Sequence, residues 1–212
     1  MVQSSPLDPE RYAIESQIRE CYGRCAYTHK THEKMAEKLA ARQKLGKWAN
    51  IVLSALIAGG AVGVVFSQDS AYAAYASYAT AALSILSLIF NAYLKDLDPG
   101  ALAQRHREAG SDIWNVREAY LSLLTDVLDP NLKIDALRER RDTLQSMLHK
   151  IYHGAPHTDG KAYGKAQDAL KRNEDLTFSQ AEIDNMLPES LRRGGRPPPK
   201  LPAAEKSAQG KP

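Results

Sequence analysis

Two apolar segments free of Lys, Arg, Asp and Glu follow one another almost directly, Trp48 to Phe66 and Ala71 to Leu94, with only Ser67, Gln68, Asp69 and Ser70 between them. A helix needs roughly 20 predominantly apolar residues to cross the hydrocarbon core of a bilayer, and both segments reach that length. The pattern predicts a transmembrane helical hairpin made of 48–66 and 71–94, with an external turn at 67–70. Four residues cannot carry the chain back across a membrane, so both flanking regions are expected on one side.

The charges say which side. Lys38, Arg42, Lys44 and Lys47 precede the first span, Lys95, Arg105 and Arg107 follow the second, and the turn carries only Asp69. An excess of cationic residues beside a span marks the cytoplasmic face, so both termini of this multi-pass protein are expected in the cytoplasm, with the hairpin in a bacterial inner membrane. The opening MVQSSPLDPERY has neither the basic start nor the apolar core of a signal peptide, which agrees with that orientation. The formal charge of +3 over 212 residues reflects polar flanks that dilute the hairpin. Those flanks are expected to form one small domain, too little for a large enzyme fold.

Helix signals divide the rest of the chain. Residues 1–8 read as a flexible N-terminus; Asp8, Pro9 and Glu10 then start a helix over 9–47, and nothing before Gly46 breaks it. Its stripe of Ile14, Ile18, Cys21, Cys25, His32, Met35 and Leu39 suits a partner helix, and the helix leads into the first span, either unbroken or bent at Gly46. In the helical region 95–193, Asp98 and Pro99 cap a helix carrying Ile113, Trp114, Val116, Tyr120, Leu123, Leu124 and Val127, and Asp129 and Pro130 repeat the device. The next helix carries Leu132, Ile134, Leu137, Leu144, Leu148 and Ile151 and stops near Gly154. Two short helices are expected, from Gly160 to Asn173 and from Ser179, which forms a capping box with Glu182, to before Pro188. The tail 194–212 reads as disordered. The fold class is therefore all-α: a two-helix transmembrane hairpin with a cytoplasmic helical domain formed by the N- and C-terminal helices.

Within the hairpin, Ser77, Thr80, Ser84, Ser87 and Asn91 recur at spacings of three and four and form a polar face on the second span. Polar side chains inside a bilayer face water or a protein partner, so this face either lines an aqueous path once hairpins assemble or packs in the hairpin seam with its hydroxyls bonded to preceding carbonyls. On the first span Ala55, Gly59 and Gly63 form a small-xxx-small row, while Asn50 and Ser54 point elsewhere; two faces suggest two helix contacts, one within the hairpin and one in a homo-oligomer. Asn50 and Asn91 lie at the same level and are placed to bond across the hairpin. Trp48, Tyr72, Tyr75, Tyr78 and Tyr93 are expected as anchors at the membrane interfaces.

Other candidate sites are weak. Cys21, Cys25, His29 and His32 have identities suited to zinc, yet one helix cannot wrap four ligands around a tetrahedral ion. His149, His153 and His157 are expected on the surface. GxSxG, HExxH, GxxxxGKS and GxGxxG are all absent. No catalytic residue, metal or cofactor is expected, nor specific nucleic-acid binding; the partner read directly from the residues is the lipid bilayer.

Three segments carry a resemblance: IRECYGRCAYTHKTHEKMAEKLAARQKLGKWANIVLSAL entering the first span, HREAGSDIWNVREAYLSLL after the second, and the closing APHTDGKAYGKAQDALKRNEDLTFSQAEIDNMLPESLR. In this order around a tight hairpin they resemble the SLATT family, two-transmembrane effector domains associated with SMODS nucleotidyltransferases and SLOG proteins in bacterial defence, and the last looks most like the branch found beside reverse transcriptases. The resemblance covers about Glu10 to Arg193. It implies an antiviral effector that oligomerises and perforates the inner membrane, causing depolarisation and abortive infection, once a partner such as a nucleotidyltransferase, a SLOG protein or a reverse transcriptase signals. Two alternatives stand beside it: a non-conducting scaffold that anchors a cytoplasmic partner, and a soluble protein that buries the hairpin as its core.

Overall fold

A computed structural model gives the fold and describes residues 9–67, 69–177, 179 and 181. Five helices follow one another: α1 (Pro9–Phe66), α2 (Ser70–Leu97), α3 (Pro99–Asp126), α4 (Ile134–Gly154) and α5 (Gly160–Arg172). No strand occurs among the described residues. These helices belong to one unit that runs to Asn173; the second unit begins at Glu174, and its described residues include a turn in which the Thr177 amide donates to Glu174 O at 3.0 Å. The helix expected from Ser179 and the disordered tail lie outside the described residues, apart from Ser179 and Ala181 themselves.

The organising element is α1, 58 residues long. At a rise of about 1.5 Å per residue it is a rod of about 87 Å. The chain then returns along it in a single antiparallel register, first as α2 and then as α3. Thr80 lies opposite Gly60, Asn91 opposite Asn50, Leu94 opposite Gly46, His106 opposite His32, and Val127 opposite Arg11.

The returning strand of the pair is interrupted once, at Asp98, which adopts φ 30° and ψ 63°. That left-handed conformation ends α2, and aspartate is one of the few non-glycine residues that tolerate it. The Asp98 amide donates to Leu94 O at 3.1 Å, while its carboxylate accepts from the Ala101 amide at 3.0 Å and so caps α3, with Pro99 at the first helical position. One residue thus closes one helix and opens the next. Asp129 and Pro130 do not repeat the arrangement. Asp129 accepts from the amide and side chain of Asn131 in a turn, and α4 starts at Ile134 after Lys133, which makes no side-chain cap. Asp129 uses its carboxylate Oδ1 to close a local turn with Asn131, and this turn stands in place of a helix start there.

Away from the apolar spans, the lower half of α1 packs against α3 and α4 through Ile14, Ile18, Cys25, Ile113, Val116, Tyr120, Leu123, Val127 and Leu137, all buried. Nearer the hairpin, Met35, Leu39 and Ala103 form a smaller cluster with Ala162 of α5. Ala162, Ala166 and Ala169 are the buried face of α5, so small side chains bring this helix close to α1, where Tyr27 stacks on Tyr163 and Lys38 pairs with Asp159.

Two polar features are buried in the bundle. Arg11 clamps the α3–α4 connection, donating to Val127 O at 2.8 Å, Asp129 O at 2.9 Å and Leu132 O at 2.6 Å. Its charge meets the carbonyls left unpaired at the end of α3, where the helix dipole is negative. Further up, His32 of α1 and His106 of α3 face each other with Nδ1 atoms 3.0 Å apart, and His29 Nδ1 donates to Gly110 O at 2.9 Å. The contact between the first two requires one Nδ1–H and one Nδ1 lone pair.

Replacing Arg11 by Met strands three carbonyls and should lower bundle stability by about 3 kcal/mol; a chemical denaturation curve coinciding with that of the starting protein would show the clamp to be dispensable. The histidines give a pH signature. Burial lowers the His32 pKa from its ordinary value of 6.5 to about 4, helped by the neighbouring His106 and His29, and burial also lowers that of His106. Between those values the unfolded chain binds more protons than the folded one. The stability these neutral imidazoles provide is therefore complete above pH 6.5 and lost as pH falls towards about 4. The loss should be on the order of 2 kcal/mol, and a His32→Gln, His106→Gln variant should show a flatter pH–stability curve over that window.

Candidate functional site

The apolar parts of α1 and α2 form the candidate site. The most apolar stretch of α1 is 0 % buried and that of the Ala71–Asp126 run 6 % buried, which removes the reading of the hairpin as the core of a soluble protein. Their outward surface carries Ile51, Val52, Leu56, Val62, Val65, Ile85, Leu86, Leu88 and Ile89, all large, apolar and exposed. A surface of this kind and extent is incompatible with water and matches lipid. Tyr72, Tyr75 and Tyr78 are exposed near the turn, and Trp48 and Tyr93 at the opposite end. Tyr75 and Tyr93 lie about 27 Å apart along α2 at helical rise, close to a hydrocarbon thickness. At the turn, Asp69 caps α2 by accepting from the amides of Ala71 at 2.9 Å and Tyr72 at 3.3 Å.

The seam between the helices follows a strict alternation of three and four. On α1 the less exposed positions that follow it are Gly46, Asn50, Leu53, Ile57, Gly60 and Val64, with Ala49 and Gly63 beside them; on α2 they are Ala73, Ala76, Thr80, Leu83, Ser87, Phe90 and Leu94, with Asn91 beside them. This is the periodicity of left-handed helix pairs. Two glycines allow the approach. A Cβ on Gly60 would sit 2.4 Å from Thr80 Oγ1, and one on Gly46 would sit 2.8 Å from Leu94 Cδ1. At the bundle end of the seam Asn91 Nδ2 donates to Asn50 Oδ1 at 3.2 Å and to Ser87 O at 2.9 Å.

The polar face of the second span is divided by this geometry. Thr80, Ser87 and Asn91 turn towards α1, whereas Ser77 and Ser84 are exposed on the outside and donate to Ala73 O and Thr80 O, both at 2.8 Å. On the first span Asn50 is in the seam, Ser54, Ala55 and Gly59 are exposed, and Gly63 is half-buried, its missing Cβ 3.5 Å from the Tyr72 hydroxyl. The glycine of closest approach is Gly60, the neighbour of the one in the small-residue row. Its signal was the seven-residue spacing of Gly46, Leu53 and Gly60, which the GxxxG pattern obscured. Elsewhere, Cys21 and Cys25 are free thiols, burial pushes the Cys25 pKa up to about 11, and no group of three or more potential ligands is arranged to hold a metal ion among the described residues. His149, His153 and His157 are exposed.

An all-helical chain with two exposed apolar helices long enough to cross a membrane, joined to a polar helical bundle, is a membrane protein of the two-helix type. The family model described as SMODS and SLOG-associating 2TM effector domain family 4 matches residues 14–182, and the chain belongs to that family, SLATT_4. It is thereby a membrane effector of biological conflict systems. No curated protein and no solved structure matches it.

The seam is tested by neighbouring glycines. Gly60→Val should loosen the hairpin by about 1–3 kcal/mol, the cost of overpacking, whereas Gly59→Val, with nothing within 4 Å of its added Cβ, should be near neutral. Thermal unfolding in detergent micelles reads the difference; equal effects would place the seam elsewhere.

Proposed function

We propose that this effector acts by assembling through its hairpins into an ion-conducting pore, with both termini in the cytoplasm and the bundle receiving the signal from a partner. Assembly depolarises the inner membrane and stops growth of the infected cell. The observation that carries this reading is the outer surface of α2, where Ala74, Ser77, Ala81 and Ser84 are exposed at spacings of three and four among much larger apolar side chains. Small residues permit close helix approach in lipid, and hydroxyls on that same stripe supply the polar atoms an aqueous path needs. Lys44 and Lys47 before the first span and Lys95 after the second support the orientation. No side chain in this reading performs covalent chemistry, so the protein acts without catalysis.

Ser77→Leu with Ser84→Leu leaves the seam intact and should abolish depolarisation, read with a potential-sensitive dye in cells, while the protein stays in the membrane fraction. Unchanged depolarisation would remove this stripe from the pore.

The competing reading is a membrane-anchored scaffold that conducts nothing. It is favoured by the internal bonding of the Ser77 and Ser84 hydroxyls, which satisfies them in lipid. Exchanging residues 48–94 for an unrelated hairpin would preserve the activity of a scaffold and eliminate that of a pore.

A further inference from the structure

Where the hairpin meets the bundle, α1 and α2 leave a slot of about 260 Å³. Its floor is the tight crossing of Gly46 and Leu94 with the Asn50–Asn91 pair, and Lys47 and Lys95 line it from the two different helices. Neither lysine forms an ion pair among the described residues, and both are exposed. Asp98 also lines the slot, with one carboxylate oxygen accepting from the Ala101 amide. Asn50 gives its carbonyl to Asn91, which leaves its own Nδ2 hydrogens unused within the protein. The slot therefore presents two ammonium groups and an amide donor against one carboxylate, a net positive charge.

Its depth is defined by its neighbours. Lys47 adjoins Trp48 and Lys95 follows Tyr93 by two residues, and both aromatic rings are more than half exposed, at 58 % and 59 %. Aromatic side chains of this kind settle at the headgroup level, so the two ammonium groups lie where lipid phosphates lie. Directly beyond them begins the outward apolar surface of Ile51, Val52, Leu88 and Ile89, a bed for acyl chains. A soluble anion would satisfy the cations alone; a phospholipid satisfies cations and apolar surface together.

We propose that this slot binds the headgroup of an anionic phospholipid, bridged between Lys47 and Lys95. The lipid ties α1 to α2 immediately before the Asp98 turn, so the charge of the leaflet facing the bundle sets how firmly the hairpin is pinned to it. The inference concerns ligand binding and holds for a pore or for a scaffold.

Trp48 is a built-in reporter once Trp114, which lies in the bundle, is changed to Phe. The full chain is reconstituted in vesicles containing phosphatidylglycerol or phosphatidylcholine with identical bromine-labelled chains, and quenching of Trp48 is compared. Phosphatidylglycerol should be preferred by about fivefold or more, on the scale of one lysine at a charged surface. Lys47→Gln with Lys95→Gln should bring the two lipids to parity, and Lys47→Arg with Lys95→Arg should keep the preference. Equal quenching by the two lipids in the Trp114→Phe protein, or a preference that survives the glutamine pair, overturns the proposal. So does a saturable response of Trp48 to inorganic phosphate in pure phosphatidylcholine vesicles, which would assign the slot to a soluble anion.

Discussion

Everything in this protein is hung on one uninterrupted helix. From Pro9 to Phe66 the α1 backbone satisfies its own hydrogen bonds, and so it can pass from a water-facing bundle into an apolar environment without a break. The returning strand cannot. It needs Asp98 in a left-handed conformation to change from α2 to α3, held by a backbone bond on one side and a side-chain cap on the other. A continuous rod paired with a jointed one restricts where the molecule can bend. The bundle and the hairpin share one backbone through α1, whereas α2 and α3 meet at the Asp98 joint.

The same register is held by two different chemistries. In the bundle the contact between α1 and α3 is built from Ile14, Ile18, Ile113, Tyr120 and Leu123, because water rewards the burial of large apolar groups. In the hairpin that reward is absent, since lipid tails are as apolar as leucine. Glycines at positions 46 and 60, alanines at 73 and 76, and the polar contacts of Asn50, Ser87 and Asn91 take its place, giving close approach and bonds that lipid cannot supply. The seam mixes these small and polar residues with Leu53, Ile57, Leu83 and Phe90, inside a shell of large apolar side chains that are exposed.

Uncharged length made the two spans legible, and the Asp98–Pro99 pair announced the start of α3, because both signals are local. The α4 start was misread for the same kind of reason: Asp129 followed by Pro130 has the composition of a cap, but its carboxylate is taken by Asn131. The seam was legible only in part. On a helical wheel the five polar residues of α2 occupy one sector, and choosing which of them meets α1 requires the position of α1, a tertiary fact. Ser77 and Ser84 fall outside and Thr80, Ser87 and Asn91 inside, separated by less than one residue of rotation. Arg11 and His106 carried no visible signal, since the carbonyls and the imidazole they meet are remote in sequence.

This division constrains any assembly of hairpins. Thr80, Ser87 and Asn91 are already engaged against α1, so a contact between protomers that leaves the hairpin closed has only the exterior to use: Ala55 and Gly59 on α1, and Ala74, Ser77, Ala81 and Ser84 on α2. An aqueous path through such an assembly has few polar atoms, and its hydroxyls must turn away from the Ala73 and Thr80 carbonyls to meet water. The alternative is to part α1 from α2 and expose Asn50, Thr80, Ser87 and Asn91 to the path. The cross-helix bond between the asparagines is worth only about 1 kcal/mol, so the larger resistance comes from packing at Gly46 and Gly60. While those glycines hold the helices together the outer stripe is the available surface, and parting the helices would expose the more polar face instead.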